Sequence, residues 1–161
     1  MAKAKPIPDL ESETAYGEAA AKVVSVRAAE LSEHAQGVLD TGDIERVHDM
    51  RVTTRRLRAA LEIFEPCFPE RPYSDALRQV KRLADALGER RDRDVAIETL
   101  LGFSEQMAAP DRRGLYSLID EIRAEQEEAN RELAPLVDDA SLRALRESMD
   151  ELVVAARASL A

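Results

Sequence analysis

His48, Arg51, Arg55 and Arg58 recur at steps of three and four, so on a helix turning about 100° per residue they fall within about 80° of one another. Four cationic or protonatable groups then share one face over about three turns, centred about 110° from the apolar stripe of the same segment. Like charges at this spacing repel by a few tenths of a kcal/mol per pair. No Asp or Glu stands between Met50 and Ala60 to offset them. The bland reading is that these arginines are solvated and paired with acids elsewhere; the sharper one is that an external polyanion compensates them. Arginine suits that use, because its planar fork binds phosphate oxygens bidentately and keeps its charge at any physiological pH. Arg56 flanks the strip, and Arg78, Lys81, Arg82, Arg90, Arg91 and Arg93 follow in the next segment as candidates for a neighbouring wall. A histidine set among these arginines makes binding of a polyanion modestly pH-dependent.

Other constellations resemble chemistry less well. Glu45-Arg-Val-His48 has the Glu-x-x-His spacing of di-iron carboxylate bundles, but such a site needs a second copy. The other histidine, His34, has Leu31 three residues before it, and no metal site is expected. Asp92 and Asp94 lack the Asp-x-Asp-x-Asp-Gly loop that shapes calcium coordination, and an ion-pair or capping role beside Arg91 and Arg93 is expected for them. Neither a phosphate-binding Gly-Lys-Ser/Thr loop nor a Gly-x-Ser-x-Gly elbow is present. No catalytic residue and no cofactor is expected. The single cysteine, Cys67, excludes an intramolecular disulfide and a Cys-based zinc site.

The elements that must position the strip are helical. Leu, Ala, Glu and Arg dominate and strand-type alternation is scarce, so the class reads all-α. The first helix is expected at 12–39 on Val24, Ala28, Leu31, Ala35 and Val38. Asp43 is placed to cap a second at 44–65, on Val47, Met50, Thr54, Leu57, Leu61 and Phe64. Pro66, Pro69 and Pro72 close it. A third is expected at 73–87 with Gly88 as a left-handed cap, and a fourth at 92–107. The fifth carries Leu115, Ile119, Ile122, Ala129, Leu133 and Leu136; the sixth carries Leu142, Leu145, Met149, Leu152 and Ala156. The last two are expected to pair as a hairpin about Asp138-Asp-Ala140. Short connections make this an antiparallel up-and-down bundle of about six helices. Residues 1–11 read as a flexible tail and 12–161 as one domain.

Length and charge bound the rest. A chain of 161 residues is long enough for one core. Its formal net charge of -9 hides a segregation: residues 44–94 hold 12 of the 23 basic groups, and 11 of those 12 are arginine. Three Phe, three Tyr and no Trp supply few stacking platforms, which with the acidic remainder disfavours nucleic acid as partner. No apolar run spans a membrane, and no apolar segment follows the N-terminal lysines as in a secretory signal. The expected compartment is the cytoplasm.

Two segments carry a resemblance. Val47-His-Asp-Met-Arg-Val-Thr-Thr-Arg-Arg-Leu-Arg-Ala-Ala-Leu-Glu-Ile-Phe64 resembles the signature of the CHAD family, the conserved histidine α-helical domain. Leu83-Ala-Asp-Ala-Leu-Gly-Glu-Arg-Arg-Asp-Arg-Asp-Val95 is similar to that family's Leu-Gly-x-x-Arg-Asp-x-Asp-Val element. The resemblance implies a helical domain that binds inorganic polyphosphate in a basic groove without catalysis, and association with polyphosphate granules or a triphosphate tunnel enzyme. It carries over to His48, Arg51, Arg55, Arg56 and Arg58 on the basic helix and to Arg91 and Asp92 in the later block; Lys81, Arg82 and Arg90 enter on position and charge. Family members are usually near twice this length, with a second basic helix that is not found here. A homodimer is therefore expected to supply the second wall. The competing reading is a structural or adaptor bundle whose arginines contact an acidic protein partner or a granule surface. An enzyme needing a divalent metal ranks third.

Overall fold

The computed structural model describes residues 2–159, and these are all-α: α1 (Tyr16–Glu33), α2 (Ile44–Ile63), α3 (Glu70–Ser104), α4 (Arg112–Leu133) and α5 (Asp139–Ala158). Single 3-10 turns, Glu65–Cys67 and Ala134–Leu136, precede α3 and α5. No helix among these residues is long and apolar enough to cross a membrane.

The expected third and fourth helices are one helix of 35 residues, about 52 Å long. Gly88 stays helical; the glycine with positive φ is Gly37, at 73°. The stripe Leu83, Leu87, Arg90, Asp94 and Ile97 keeps steps of four and three and is buried throughout, so packing carries the helix through the glycine. Two smaller corrections have local causes. α1 stops at Glu33 because the chain turns at Gly37, yet Ala35 and Val38 remain buried as their periodicity predicts. Asp43 stands at the start of α2 without capping it, since its carboxylate takes the Arg46 Nε–H at 2.8 Å. Pro72 sits in the first turn of α3, where a missing N–H costs nothing.

α1, α2, the N-terminal half of α3 and α5 form an antiparallel four-helix bundle. α1 lies between α2 and α5, and α3 contacts the same two from the other side. Tyr16 donates to the Ile63 carbonyl at 2.7 Å and Arg157 approaches Glu18 at 3.3 Å, which brings the ends of α2 and α5 to the start of α1. Val24, Leu31, Met50, Leu57, Leu61, Leu87, Met149 and Leu152 fill the core.

The expected hairpin of the last two helices is not formed. α4 packs back along the C-terminal half of α3 and α5 packs on α1 and the N-terminal half. The bend at Pro135, whose ring cannot donate a helical hydrogen bond, lets α4 and α5 follow α3 in succession. The outer half of α3 and α4 thus extend from the bundle as a two-helix arm. Residues 2–5 lie against the bundle: Ala2 N–H donates to Asp49 Oδ1 at 2.6 Å, Lys5 N–H donates to Glu30, and Arg56 donates to the Ala2 carbonyl at 2.8 Å.

Candidate functional site

α2 turns Val47, Met50, Leu57 and Leu61 inward, and the adjacent Thr53 and Thr54 satisfy their hydroxyls on the Met50 carbonyl at 2.9 and 2.8 Å. That leaves His48, Arg51, Arg55 and Arg58 half-buried or exposed on the other side, as the spacing predicts.

Two contacts set how this face meets α3. Arg91 donates to the Ile44 carbonyl at 3.1 Å and lies 3.7 Å from Glu45 Oε1. Arg51 crosses Gly88, its Nε 4.0 Å from where a Cβ would stand. For antiparallel helices advancing about 1.5 Å per residue, this register brings Arg55 level with Lys81 and Arg82. Of these two, Arg82 lines a small cleft with Leu83, Leu136, Ser141 and Leu145, on the α5 side of α3. Arg51, Arg55, Lys81 and Arg82 carry no ion pair among the described residues, whereas Arg58 pairs with Glu62 at 2.9 Å and Arg78 with Asp75 at 3.1 Å. The exposed ion pairs are worth little in water, so Arg58 can exchange its partner for a better anion.

The other expected residues are placed differently. Arg56 is half-buried and tied to the N-terminal segment, with Nη1 buried and unpartnered. Arg90 has turned into the protein. Its side chain is 0% exposed and lies 3.0 Å from Asp94, also 0% exposed, so it is absent from the cationic surface. Asp92 is exposed in the middle of α3 and makes no ion pair among the described residues. Neither it nor Asp94 caps a helix, because α3 has no N-terminus there.

Gln126 of α4 completes the inner pair, its Nε2–H donating to Asp94 Oδ1 at 2.6 Å. Burial pushes the Asp94 carboxyl above its ordinary range, with Glu98 adding to the effect, while Gln126, Arg90 and Arg91 partly oppose it. Sequence reasoning missed this cluster, though its trace is visible. Arg90 and Asp94 occupy two consecutive places in an apolar stripe, and Gln126 fills the one gap between Ile122 and Ala129 in the stripe of α4.

Elsewhere a free thiol, Cys67, is buried, and burial raises its ordinary pKa. Among the described residues no three His, Cys, Asp or Glu side chains converge as metal ligands.

Arg51 and Arg55 on α2 and Lys81 and Arg82 on α3 are half-buried or exposed cations. No curated protein and no solved structure matches the chain. A family model does: the CHAD domain, over residues 22–161, which includes α2, α3, α4 and α5. With a match over most of its length joined to a five-helix fold built around the basic second helix, the chain belongs to the CHAD domain family.

Proposed function

We propose that this protein binds inorganic polyphosphate, without catalysis, along the face formed by α2 and the N-terminal half of α3. The observation that carries the reading is the set of unpaired cations Arg51, Arg55, Lys81 and Arg82 on two helices locked in register by Arg91. A linear anion with a charge on every phosphate unit can run along Arg51 and Arg55 to Lys81 and wrap toward Arg82, and arginine forks bind its oxygens bidentately. His48 and Arg58 extend the face at its two ends, and Arg56 adds its charge from the flank. Arg90 contributes through the fold, as the buried partner of Asp94.

The test is titration with long-chain polyphosphate, in parallel with heparin and duplex DNA, at about 150 mM salt. Wild type is compared with an Arg51→Ala/Arg55→Ala/Arg58→Ala variant. Selective binding is expected, weakened at least tenfold in the variant and with a shallower salt dependence, by analogy with counterion release from nucleic acids. Equal binding to every polyanion, or none, would move the reading to an adaptor bundle with an acidic protein partner. The proposed oligomer is a symmetric homodimer that duplicates the face. Light scattering that gives a monomer at micromolar concentration while polyphosphate still binds would remove the dimer and leave the ligand.

A further inference from the structure

Along the arm, α3 and α4 are apolar on two sides. The inner side closes the arm on itself and buries Ile97, Ser104 and Ile119. A second stripe runs beside it, with Leu100, Phe103 and Met107 on α3 and Leu115, Leu118 and Ile122 on α4, each set at steps of three and four. That is the spacing of a seam that packs against a further helix. Phe103 is 55% exposed and Leu118 44%, and the other four are half-buried.

Three contacts place the two stripes side by side. At the base of the arm Gln126 donates to Asp94 at 2.6 Å and Arg93 approaches Glu125 at 3.5 Å; at its tip Arg112 donates to the Met107 carbonyl at 3.0 Å. In this antiparallel register Phe103 stands level with Tyr116, between Leu115 and Leu118. At about 100° per residue both stripes turn to the side on which Arg93 meets Glu125, whereas Glu98, Glu105 and Glu127 turn the other way, toward the turn between α1 and α2. One surface two helices wide is thus apolar and uncovered. Helices about 10 Å across, sharing about 20 Å of length, give it about 400 Å², the size of exposed apolar patch that commonly marks an interaction site.

We propose that this surface is covered by the same surface of a second copy, so that two arms close a four-helix bundle. Two parallel seams of equal length call for an occupant of the same width and length, and a helical hairpin of the same kind is that occupant. Charge decides which helix meets which. The outer edge of α4 carries Glu121, Glu125, Glu128 and Glu132, while the outer edge of α3 carries the uncharged Val95, Thr99 and Gln106. Laying α4 on α4 would set like charges together; a two-fold pair with α4 of each copy along α3 of the other avoids this and makes adjacent helices antiparallel. The two patches cover about 800 Å² before side-chain relief is counted, near the about 1,000 Å² of the smallest specific interfaces, so the dimer is weak and depends on concentration. This assigns the contact of the homodimer proposed above and rests on that reading for the oligomer, not for the ligand.

The test is sedimentation equilibrium of the full chain across the micromolar range under reducing conditions, with backbone amide shifts recorded over the same concentrations. Expected are a monomer–dimer equilibrium, concentration-dependent shifts at Leu100, Phe103 and Leu118, and association weakened at least about tenfold in Phe103→Glu/Leu118→Glu, because a few central apolar anchors carry most of an interface's energy. Both side chains are exposed, so that variant should keep the wild-type melting temperature, and it should still bind polyphosphate, which separates failure of the dimer from failure of the ligand reading. The wild-type shifts need no variant and locate the contact even if the variant melts early. A monomer throughout the micromolar range, a dimer indifferent to the double substitution in a variant that melts like wild type, or shifts confined to residues outside the arm would each overturn the proposal.

Discussion

Gly17 shows how much one missing side chain can decide. A Cβ there would stand 2.3 Å from the Ala156 carbonyl oxygen and 2.9 Å from that of Ser159, so α1 and α5 touch backbone to backbone. Neither oxygen can rotate away. Gly17→Ala is therefore expected to cost about 1–3 kcal/mol, as overpacking does, and to lower Tm by several degrees; an unchanged melting curve would mean the two helices do not approach this closely. Glu30 is the residue at which acid should act. Burial alone would raise its carboxyl, but the Lys5 N–H, the Arg27 guanidinium and the charge of Arg56 outweigh that and hold it below its ordinary 4.5. A carboxylate lowered in the folded state contributes stability above its unfolded pKa and loses it as pH falls through the folded one. The N-terminal segment should accordingly come free at acid pH, below the range where an ordinary glutamate titrates. Exchange of the Lys5 amide against pH checks this, and Glu30→Gln should show fast exchange already at neutral pH.

At the scale of the element, α3 is the decisive piece. Gly88 has helical backbone and its added Cβ would meet Arg51 Nε at an ordinary 4.0 Å. Gly88→Ala is expected to stabilise the protein by about 0.5–1 kcal/mol, the usual penalty of glycine within a helix. A left-handed cap at Gly88 would give the opposite sign, so one chemical denaturation experiment separates one helix from two. The continuity of α3 sets the reach of the arm, because one helix carries Gly88 past Arg51 of α2 and Asp94 out to Gln126 of α4.

The whole molecule has a compact half and an extended half. The bundle buries nearly every apolar residue of α1, α2 and α5 that faces inward, whereas α4 buries only Ile119, Gln126, Ala129 and Leu133. The arm exposes Phe103, Tyr116 and Leu118. Local opening is easiest where few buried contacts must break. Amides of 97–118 should therefore exchange at lower free energy than those of 76–87, and uniform protection along α3 would contradict this division.

Periodicity alone determined the helical class, the core stripes and which side of α2 faces away from the core, because 3.6-residue spacing is a local property that survives any packing. Val24, Met50, Leu57 and Met149 are buried, and Arg51 and Arg55 turned outward, as their spacing predicts. The tertiary structure decided what depended on partners distant in sequence. Whether Gly88 ends a helix rests on the continuous stripe around it, and whether α4 meets α5 or α3 rests on which apolar faces remain uncovered. Arg90 reads as one more surface cation until Asp94, itself held by Gln126 of α4, is seen beside it in the interior. A charged side chain goes inside only when a counter-charge and a neighbouring helix are both in place, and that neighbour, α4, begins more than twenty residues further along the chain.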